Sequence, residues 1–318
     1  MNAIPVLNLF TQPQCSSFDA NDWNILAQHW YPVARTQDVS EQPQQVQLLD
    51  VKMALYKTES GKIHLVRDIC PHRGVPLTKG WVKGEEIICP YHGLHYNGEG
   101  KCVKIPAQPE LTQISDRFSL TKFPVVEKYG LIWTSLFNRD VSKANFPDLD
   151  TWDSEEHQSI LPPFVDIAGS SGRQLEGFID VAHFAWVHNQ SFADRENPKV
   201  QKYSTVRTDY GLHTEYVSDV SNYPHGLQHL APDDFLWKRT FDVYPPFSAI
   251  LTIDFPENGL LKILNAQIFA EDQDMVESQK PEELPLDISM EAHFEADRSS
   301  TTYRRILAEW GLSKRYTV

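Results

Sequence analysis

Apolar and polar residues alternate in short runs through the first half of the chain, which is the pattern of half-buried β-strands. The segments VQLLDVKMALYKT (46–58), ESGK (59–62) and IHLVRDI (63–69) predict a strand, a turn and a second strand. GLIWTSLF (130–137) predicts the closing strand of the same region. We therefore expect the first half to fold as a small β domain.

Strand-like patterns also occur in the second half of the chain. SILPPFVDIAG (159–169) predicts a strand, and residues 203–220 and 236–269 predict several antiparallel strands. An Asn-Gly pair within 256–259 is typical of a tight hairpin turn between two of them.

Two segments of the second half have the spacing of helices instead. RQLEGFIDVAHFAWVH (173–188) has apolar residues at helical intervals, and DRSSTTYRRILAEWG (297–311) predicts a capped C-terminal helix that ends at Gly311. Strands interleaved with a few helices predict an α+β fold. A polar, proline-containing stretch at 138–157 separates the two halves.

The chain length of 318 residues predicts two domains. We expect a polar N-terminal extension over 1–28, in which residues 1–24 are either an extension or a short docking helix, a β domain over 29–150 and an α+β domain over 151–318.

Composition narrows the classes of partner. The formal net charge of −14 argues against nucleic acid or an anionic membrane surface. No apolar run approaches the roughly 18 residues of a membrane span, and the N-terminus lacks the basic start of a signal peptide. Four cysteines in a chain of this length do not predict a disulfide framework. We expect a soluble, cytoplasmic protein.

Two short loops carry the first candidate metal site. CPHRG (70–74) and CPYHG (89–93) each contain one cysteine and one histidine. A structural zinc site is one interpretation, although zinc sites more often pair cysteine with cysteine and histidine with histidine. A mixed pair on each loop suits a [2Fe–2S] cluster in which one iron takes both thiolates and the other takes both imidazoles.

The loop sequences resemble the Rieske motif of ring-hydroxylating and related oxygenases. The resemblance implies that Cys70, His72, Cys89 and His92 hold a [2Fe–2S] cluster. Respiratory Rieske proteins carry an additional cysteine in each loop, whereas this chain does not. Leu94 departs from the tryptophan that often follows the second loop in the family, and we expect a local packing difference there.

A second candidate site lies in the helix-like segment around Asp180, His183 and His188. Asp180 and His183 are three residues apart and would share a helix face. His188 follows five residues after His183, about 140° around an ideal helix, so both imidazoles can reach one metal only if the helix ends or distorts. Two unrelated histidines on one helix remain the alternative.

This segment resembles the Asp-x2-His-x4-His signature of the catalytic domain of the same oxygenases. By that resemblance, His183 and His188 bind a mononuclear Fe(II), and a carboxylate completes a 2-His-1-carboxylate site. The acidic stretch FAEDQDMVESQKPE (269–282) offers Glu271, Asp272, Asp274 and Glu277. Asp272 lies seven residues before Gln279, as in the family, and is the predicted ligand, with Asp274 as the alternative.

The resemblance also assigns a role to Asp180. It matches the bridging aspartate of the family, which would accept hydrogen bonds from its own His183 and from His92 of a neighbouring subunit. Where the family often has Glu-Asn, this chain has Glu176-Gly177, so no amide side chain is available at that place.

From residue 29 to its end, the chain resembles the short, α-subunit-only oxygenases. The resemblance implies a homotrimer and a helix-grip catalytic domain with a curved antiparallel sheet. It also implies hydroxylation or demethylation of a small aromatic or heterocyclic substrate. O2 and electrons from NAD(P)H would be used, delivered by a separate flavin/iron–sulfur reductase with or without a ferredoxin. A cis-dihydroxylating dioxygenase and a non-catalytic Rieske electron-transfer or sensor protein are the alternatives. Predicted cavity residues are Phe184, Leu230 and Phe247. His225 and His229 lie in a loop-like stretch, and we expect them to be exposed, with contact to the substrate as the alternative.

Overall fold

The computed structural model describes residues 11–149, 151–156, 159–162, 164–189, 191–218, 236–254 and 264–313. Contacts divide the chain into two compact units, residues 1–144 with 149–161, and residues 145–148 with 162–318. The predicted hairpin at 256–259 and the residues Leu230, His225 and His229 lie outside the described residues. Among the helices that the structure describes, none is both long and apolar enough to cross a membrane.

In its described residues, the first unit contains one α-helix and three antiparallel sheets. Their strand orders are β1-β11-β10, β2-β3-β4-β9 and β5-β6-β7-β8. The elements are α1 Ala20–Leu26, β1 Tyr31–Arg35, β2 Gln44–Leu48, β3 Val51–Lys57, β4 Ile63–Arg67, β5 Trp81–Lys83, β6 Glu86–Ile88, β7 His95–Asn97, β8 Cys102–Lys104, β9 Lys122–Phe123, β10 Val126–Lys128 and β11 Leu131–Thr134.

Strand β3 is buried on both faces, because it separates two hydrophobic cores. Met53 and Leu55 point into one core, which also contains Trp23 of α1. Ala54 and Tyr56 point into the other core, which also contains Cys70 and Cys89 of the two loops. The predicted hairpin is confirmed as β3 and β4, paired antiparallel. This second core fixes the place from which the cysteine-bearing loops project.

The described residues of the second unit combine one antiparallel sheet, in the order β12-β13-β14-β15, with four α-helices. Helix α5 packs against β12 and β13, and α2 packs against both α4 and α5. The predicted α+β fold is therefore confirmed. The elements are α2 Ser171–Ile179, α3 Phe184–Val187, β12 Ser204–Arg207, β13 Leu212–Ser218, β14 Trp237–Tyr244, β15 Ser248–Asp254, α4 Leu264–Ser278 and α5 Arg298–Glu309.

A network of four charges, three of them buried and Glu291 partly exposed, connects α2 to α5. The guanidinium of Arg304 binds both carboxylate oxygens of Glu176, at 2.6 and 2.7 Å, and one oxygen of Glu291 at 2.6 Å. Arg173 binds the other oxygen of Glu291 at 2.6 Å. Bidentate, charge-assisted pairs of this kind fix geometry as well as energy. The network therefore sets the position of α2, whose C-terminal end leads into the second candidate site.

Four of the predicted elements differ from the structure. The segment 46–58 is divided into β2 and β3 by a turn at Leu49 and Asp50, instead of forming one strand. The described residues of 159–169 form no strand, and residues 264–269 begin helix α4 instead of continuing the sheet. The segment 173–188 is broken into α2 and α3 instead of forming one helix. The C-terminal helix is confirmed as α5, and Gly311 follows it in the left-handed conformation, with φ of 85°.

Candidate metal centres

The two cysteine–histidine loops share one backbone geometry. In each loop the cysteine N–H donates to the carbonyl five residues later, and the glycine N–H donates back to the cysteine carbonyl. The bonds are Cys70 to Val75 at 2.9 Å, Gly74 to Cys70 at 2.8 Å, Cys89 to Leu94 at 2.9 Å and Gly93 to Cys89 at 3.0 Å. Gly74 and Gly93 have φ of 73° and 67°, the left-handed region that glycine occupies without a steric penalty. The two loops therefore share one turn geometry, although the histidine is the third residue of the first loop, His72, and the fourth of the second, His92.

Within each pair the cysteine is buried and the histidine lies nearer the surface. Cys70 and Cys89 are 2% and 1% exposed, whereas His72 is half-buried and His92 is exposed. The two imidazole rings lie 4.5 Å apart between centroids. The Nδ1 atom of His72 is buried and has no hydrogen-bond partner among the described residues. A buried nitrogen lone pair in that state fits a metal ligand.

The environment of Cys89 also suits a metal thiolate. Burial raises the pKa of its thiol, and the backbone N–H groups of Tyr91 and His92 oppose that increase. These N–H groups would stabilise negative charge on the sulfur. Leu94 and Tyr96 pack in the same core as both cysteines, and the Tyr96 hydroxyl contacts the Cys70 sulfur. No sequence signal identified Tyr96 beforehand, because the contact joins separate hairpins.

The second candidate site depends on a break in the chain between α2 and α3. Asp180 has extended backbone angles, φ −78° and ψ 126°, and its carboxylate accepts the N–H of Ala182 at 2.8 Å. An aspartate that binds a backbone N–H two residues later competes with the helical hydrogen bonds. His183 and His188 then flank the single turn of α3. The expectation that Asp180 and His183 share a helix face is therefore wrong, although the two side chains do meet, at 3.2 Å.

The break brings three ligand atoms together. Nε2 of His183 lies 3.1 Å from Nε2 of His188, and Oδ1 of Asp272 lies 3.4 and 3.1 Å from these two nitrogens. A divalent ion with bonds of about 2.1 Å at right angles would space its ligand atoms by about 3.0 Å. The three atoms therefore have the spacing of one face of an octahedral site.

The outer nitrogens of both imidazoles face carboxylates. Nδ1 of His183 lies against Asp180, and Nδ1 of His188 lies 2.8 Å from Oε2 of Glu271. A carboxylate accepts hydrogen bonds, so each neutral ring carries its proton on Nδ1 and turns the Nε2 lone pair inward. The centre is then lined by two lone pairs and the Asp272 carboxylate, all of them acceptors. Such a set is complementary to a cation.

The pKa values of His183 and Asp272 also indicate that this centre favours positive charge. Burial lowers the pKa of His183, but the carboxylates of Asp180 and Asp272 outweigh burial and raise it to about 9. Burial likewise raises the pKa of Asp272, but His183 and His188 overcome that effect and lower it to about 2. Both shifts have the same cause, which is that the two carboxylates stabilise positive charge at the centre.

The four acidic residues offered by 269–282 have different environments. Asp272 meets the histidines, whereas Asp274 is exposed. Glu277 accepts the N–H of Ala168 at 2.9 Å and the Gln273 amide at 2.7 Å. Glu271 binds His188 and accepts the Ser191 hydroxyl at 2.7 Å. The sequence marked Glu271 only as one possible ligand, and its contact with the outer nitrogen of His188 appears only in the fold.

Two aromatic side chains pack against the imidazole rings of the two histidines. Phe192 stacks on His188 at 4.8 Å, and the edge of Phe184 meets His183 at 4.9 Å. The guanidinium of Arg239 lies over both phenyl rings, at 5.2 Å from Phe184 and 5.6 Å from Phe192. Burial lowers the pKa of Arg239 to about 10. Phe184 therefore supports a histidine, in addition to lining a small cavity beside Arg239.

A larger cavity, of about 410 Å³, lies along one face of α2 in the second unit. Among its described lining residues the only polar side chains are Ser171 and Gln174. Oε1 of Gln174 is buried without a hydrogen-bond partner among the residues that the structure describes. Phe247, a predicted cavity residue, contributes to the wall together with Val165, Ile167, Gly169, Leu175, Phe178, Ala249 and Phe269. The volume and the apolar wall are typical of a small-molecule site.

Two sequence profiles match the chain. The profile described as the Rieske [2Fe-2S] domain matches residues 29–124, which include both cysteine–histidine loops. The profile described as the vanillate O-demethylase oxygenase C-terminal domain matches residues 261–313, which include Asp272.

Curated proteins similar to the chain are oxygenase subunits and demethylases. The putative toluene-4-sulfonate monooxygenase system iron-sulfur subunit TsaM2 of Comamonas testosteroni is 31% identical over 232 residues, which cover 71% of this chain. The match spans 65% of that relative, slightly less than two thirds of its length. Methylxanthine N1-demethylase NdmA of Pseudomonas putida is 25% identical over 332 residues, covering 91% of this chain and 90% of NdmA.

A solved structure extends the likeness to the fold. Pseudomonas putida CBB5 NdmA with caffeine matches with a TM-score of 0.74 at 24% identity, covering 91% of this chain and 92% of that chain. The match shows that the two proteins share a fold over most of both chains.

Proposed function

We propose that this chain, which belongs to the family of Rieske non-haem iron oxygenases, is the oxygenase component of a multicomponent monooxygenase. The observation that carries the proposal is the set of three inward-facing acceptors, His183, His188 and Asp272, in a chain that also has a Rieske domain. Two histidines and one carboxylate with open positions are the ligands of non-haem Fe(II) sites that use O2.

The proposed cluster ligands are the two loop pairs. Cys70 and Cys89 would hold one iron of the [2Fe–2S] cluster, and His72 and His92 would hold the other, with the unpartnered Nδ1 of His72 as one ligand atom. The two buried thiols lie where water cannot reach the sulfur, and the histidines lie at the rim. This arrangement would place the histidine-bound iron nearest the surface, where electrons enter and leave.

The proposed role of Asp180 is to connect the two metal centres across a subunit boundary. Its carboxylate orients His183 from Nδ1, and its side chain is 28% exposed, so a second donor can approach it. His92 of a neighbouring subunit, exposed at the tip of its loop, is the proposed second donor. This contact requires a homotrimer or another ring in which each Rieske domain serves the next subunit.

When bound, the cluster and the ferrous ion supply electrons and activate O2 for attack on the substrate. We propose that the substrate is a small aromatic or heterocyclic molecule held in the cavity of about 410 Å³ against Phe178 and Phe247. For a demethylation, one oxygen atom of O2 would convert a C–H bond of the methyl group into C–OH. The bond from that carbon to the substrate oxygen or nitrogen then breaks, which releases formaldehyde and leaves the hydroxyl proton on the substrate. The other oxygen atom is reduced to water, which consumes two electrons and two protons. The apolar wall holds the substrate and excludes bulk water from it.

The electrons would come from NAD(P)H through a separate flavin/iron–sulfur reductase, with or without a ferredoxin. The chain shows no glycine-rich dinucleotide loop of its own. Curated relatives carry names such as iron-sulfur subunit of a monooxygenase system, which describes one part of a larger set. We propose that the protein works in the cytoplasm, where NAD(P)H is available.

The proposal is tested by chemically reducing the iron-replete protein, adding O2 and a panel of methoxylated aromatics and N-methylated heterocycles, and analysing products by mass spectrometry. We expect a compound that loses a methyl group or gains one oxygen. Gain of two hydroxyls would assign a dioxygenase instead. A brown protein with a Rieske-type paramagnetic resonance signal that retains all iron after His183→Ala would contradict the mononuclear site and favour an electron carrier.

A further inference from the structure

We propose that Glu271, supported by Ser191, is a positioning residue for the mononuclear iron, which it serves by holding His188. The inference rests on the proposed function of His183, His188 and Asp272 as the ligand set. Glu271 acts on the site through Nδ1 of His188, the ring nitrogen that faces away from the proposed metal. The geometry around the Glu271 carboxylate carries the argument.

Glu271 immediately precedes Asp272 on α4, so one turn of one helix supplies both a proposed ligand and the support of another. Oε2 of Glu271 lies 2.8 Å from Nδ1 of His188 and 2.7 Å from the hydroxyl of Ser191. Ser191 is 3% exposed, and its N–H donates to the carbonyl of His188 at 3.1 Å. The carboxylate oxygen is therefore held between two donors that belong to one short segment.

The contact decides which nitrogen of His188 faces the metal. The side chain of His188 is 1% exposed, so water cannot satisfy Nδ1 in place of Glu271. Because the carboxylate only accepts hydrogen bonds, the single proton of the neutral ring must lie on Nδ1. Nε2 is then left with its lone pair towards the site. The negative charge of Glu271 also makes the ring a stronger electron donor to the metal.

Glu271 is not placed to be a fourth ligand through this oxygen. The two nitrogens of an imidazole lie on different edges of the ring, and Glu271 occupies the Nδ1 edge, away from Asp272 Oδ1 on the Nε2 edge at 3.1 Å. The two histidines thus have separate supports, Asp180 for His183 and Glu271 for His188. Asp180 is partly exposed and is proposed to reach another subunit, whereas Glu271 faces the buried histidine of its own chain.

The test uses the full chain with its cluster loaded and compares three variants. Glu271→Gln keeps the shape and removes the charge. Glu277→Gln is the matched control, because Glu277 lies on the same helix and accepts the Ala168 N–H but contacts neither histidine. Ser191→Ala removes the second donor. Fe(II) and Co(II) dissociation constants are measured by titration, together with the visible spectrum of the Co(II) protein.

We expect Glu271→Gln to weaken Fe(II) binding about 10- to 100-fold and to shift the Co(II) spectrum. Ser191→Ala should weaken binding about 3- to 10-fold, and Glu277→Gln should bind as the wild type does. The Rieske paramagnetic resonance signal should be the same in all three. If Glu271→Gln does not fold, Ser191→Ala decides. Wild-type affinity and an unshifted Co(II) spectrum in the folded variants would overturn the inference. The proposed iron site itself fails only if His183→Ala also binds Fe(II) normally.

Discussion

The phenolic oxygen of Tyr96 lies 3.2 Å from the sulfur of Cys70, inside the core that carries both cysteine–histidine loops. Tyr96 is fully buried, so its hydroxyl has no competing water. When Cys70 is a thiolate, the hydroxyl is the donor. A hydrogen bond to a cluster sulfur stabilises the reduced, more negative state and raises the reduction potential.

Tyr96→Phe should therefore lower the reduction potential of the cluster. A net loss of about 1 kcal/mol for one electron corresponds to roughly 40 mV. Tyr56→Phe is the matched control, because Tyr56 is fully buried in the same core and its hydroxyl has no hydrogen-bond partner among the described residues. A redox titration followed by paramagnetic resonance measures both variants. Equal potentials in the two would contradict a hydrogen bond to the sulfur.

The choice between neighbouring carboxylates on α4 can be decided by iron content. Asp272→Ala removes one of three converging acceptors and should weaken Fe(II) binding by more than about 100-fold, beyond the loss expected for an outer hydrogen-bond partner. Asp274→Ala removes an exposed carboxylate and should leave the iron content unchanged. Iron is quantified after gel filtration, and full occupancy in Asp272→Ala would reject this residue as a ligand.

The buried charge network predicts a large loss of stability on removing one partner. Arg304→Met leaves Glu176 without its main cation and Glu291 with Arg173 alone, and should lower the free energy of unfolding of the second unit by about 3–5 kcal/mol. Arg207→Met is the control: Arg207 also binds a carboxylate of α5, Glu309, at 2.6 and 2.8 Å, but on the surface. It should cost about 1 kcal/mol or less. Urea denaturation of the metal-free proteins compares the two, and equal costs would refute the role of burial.

The stability of the first unit should fall in acid because of His29. Burial lowers the pKa of His29 from 6.5 to about 4, so the unfolded chain binds the proton more tightly than the folded one. The stabilisation is fully present above pH 6.5 and is lost as the pH falls towards 4. The loss should be about 2 kcal/mol, allowing for the partial exposure of the ring. The free energy of unfolding is measured with urea at several pH values. Between pH 6.5 and 4 it should fall less steeply with decreasing pH in His29→Gln than in the wild type. An equal slope in the two proteins would contradict the prediction.

Replacing Gln174 should affect the stability of the protein and its binding of substrate in opposite directions. Its buried Oε1 lacks a hydrogen-bond partner among the described residues, although the side chain lines the cavity. Gln174→Met should therefore not destabilise the metal-free protein. It should raise the free energy of unfolding by between zero and about 1 kcal/mol. It should raise KM for substrates with a hydrogen-bonding ring substituent and not for apolar ones, with kcat retained. Ser171→Ala, at the other polar position of the wall, serves as the comparison. A variant that loses stability and treats both substrate types alike would show that the amide is already satisfied.

Much of the first candidate site could be predicted from the sequence, because its geometry is local. Each loop places its cysteine, histidine and turning glycine within five residues, and Gly74 and Gly93 adopt the left-handed angles that the turns require. The β3–β4 hairpin and helix α5 were likewise predicted from short-range periodicity. Tyr96 was not, because its contact with Cys70 spans 26 residues and depends on the packing of two hairpins.

The types and spacings of the chemical groups follow from the amino-acid sequence: two cysteine–histidine loops, Asp180 with two following histidines, and an acidic stretch near the end of the chain. Which of these groups meet depends on packing. Successive residues of a helix point about 100° apart, so whether Glu271, Asp272 or Asp274 faces the histidines depends on how α4 packs against α2. The break at Asp180 brings His183 and His188 within reach of one ion. Contacts that cross more than 80 residues, such as His188 to Glu271, arise from packing and carry no local signal.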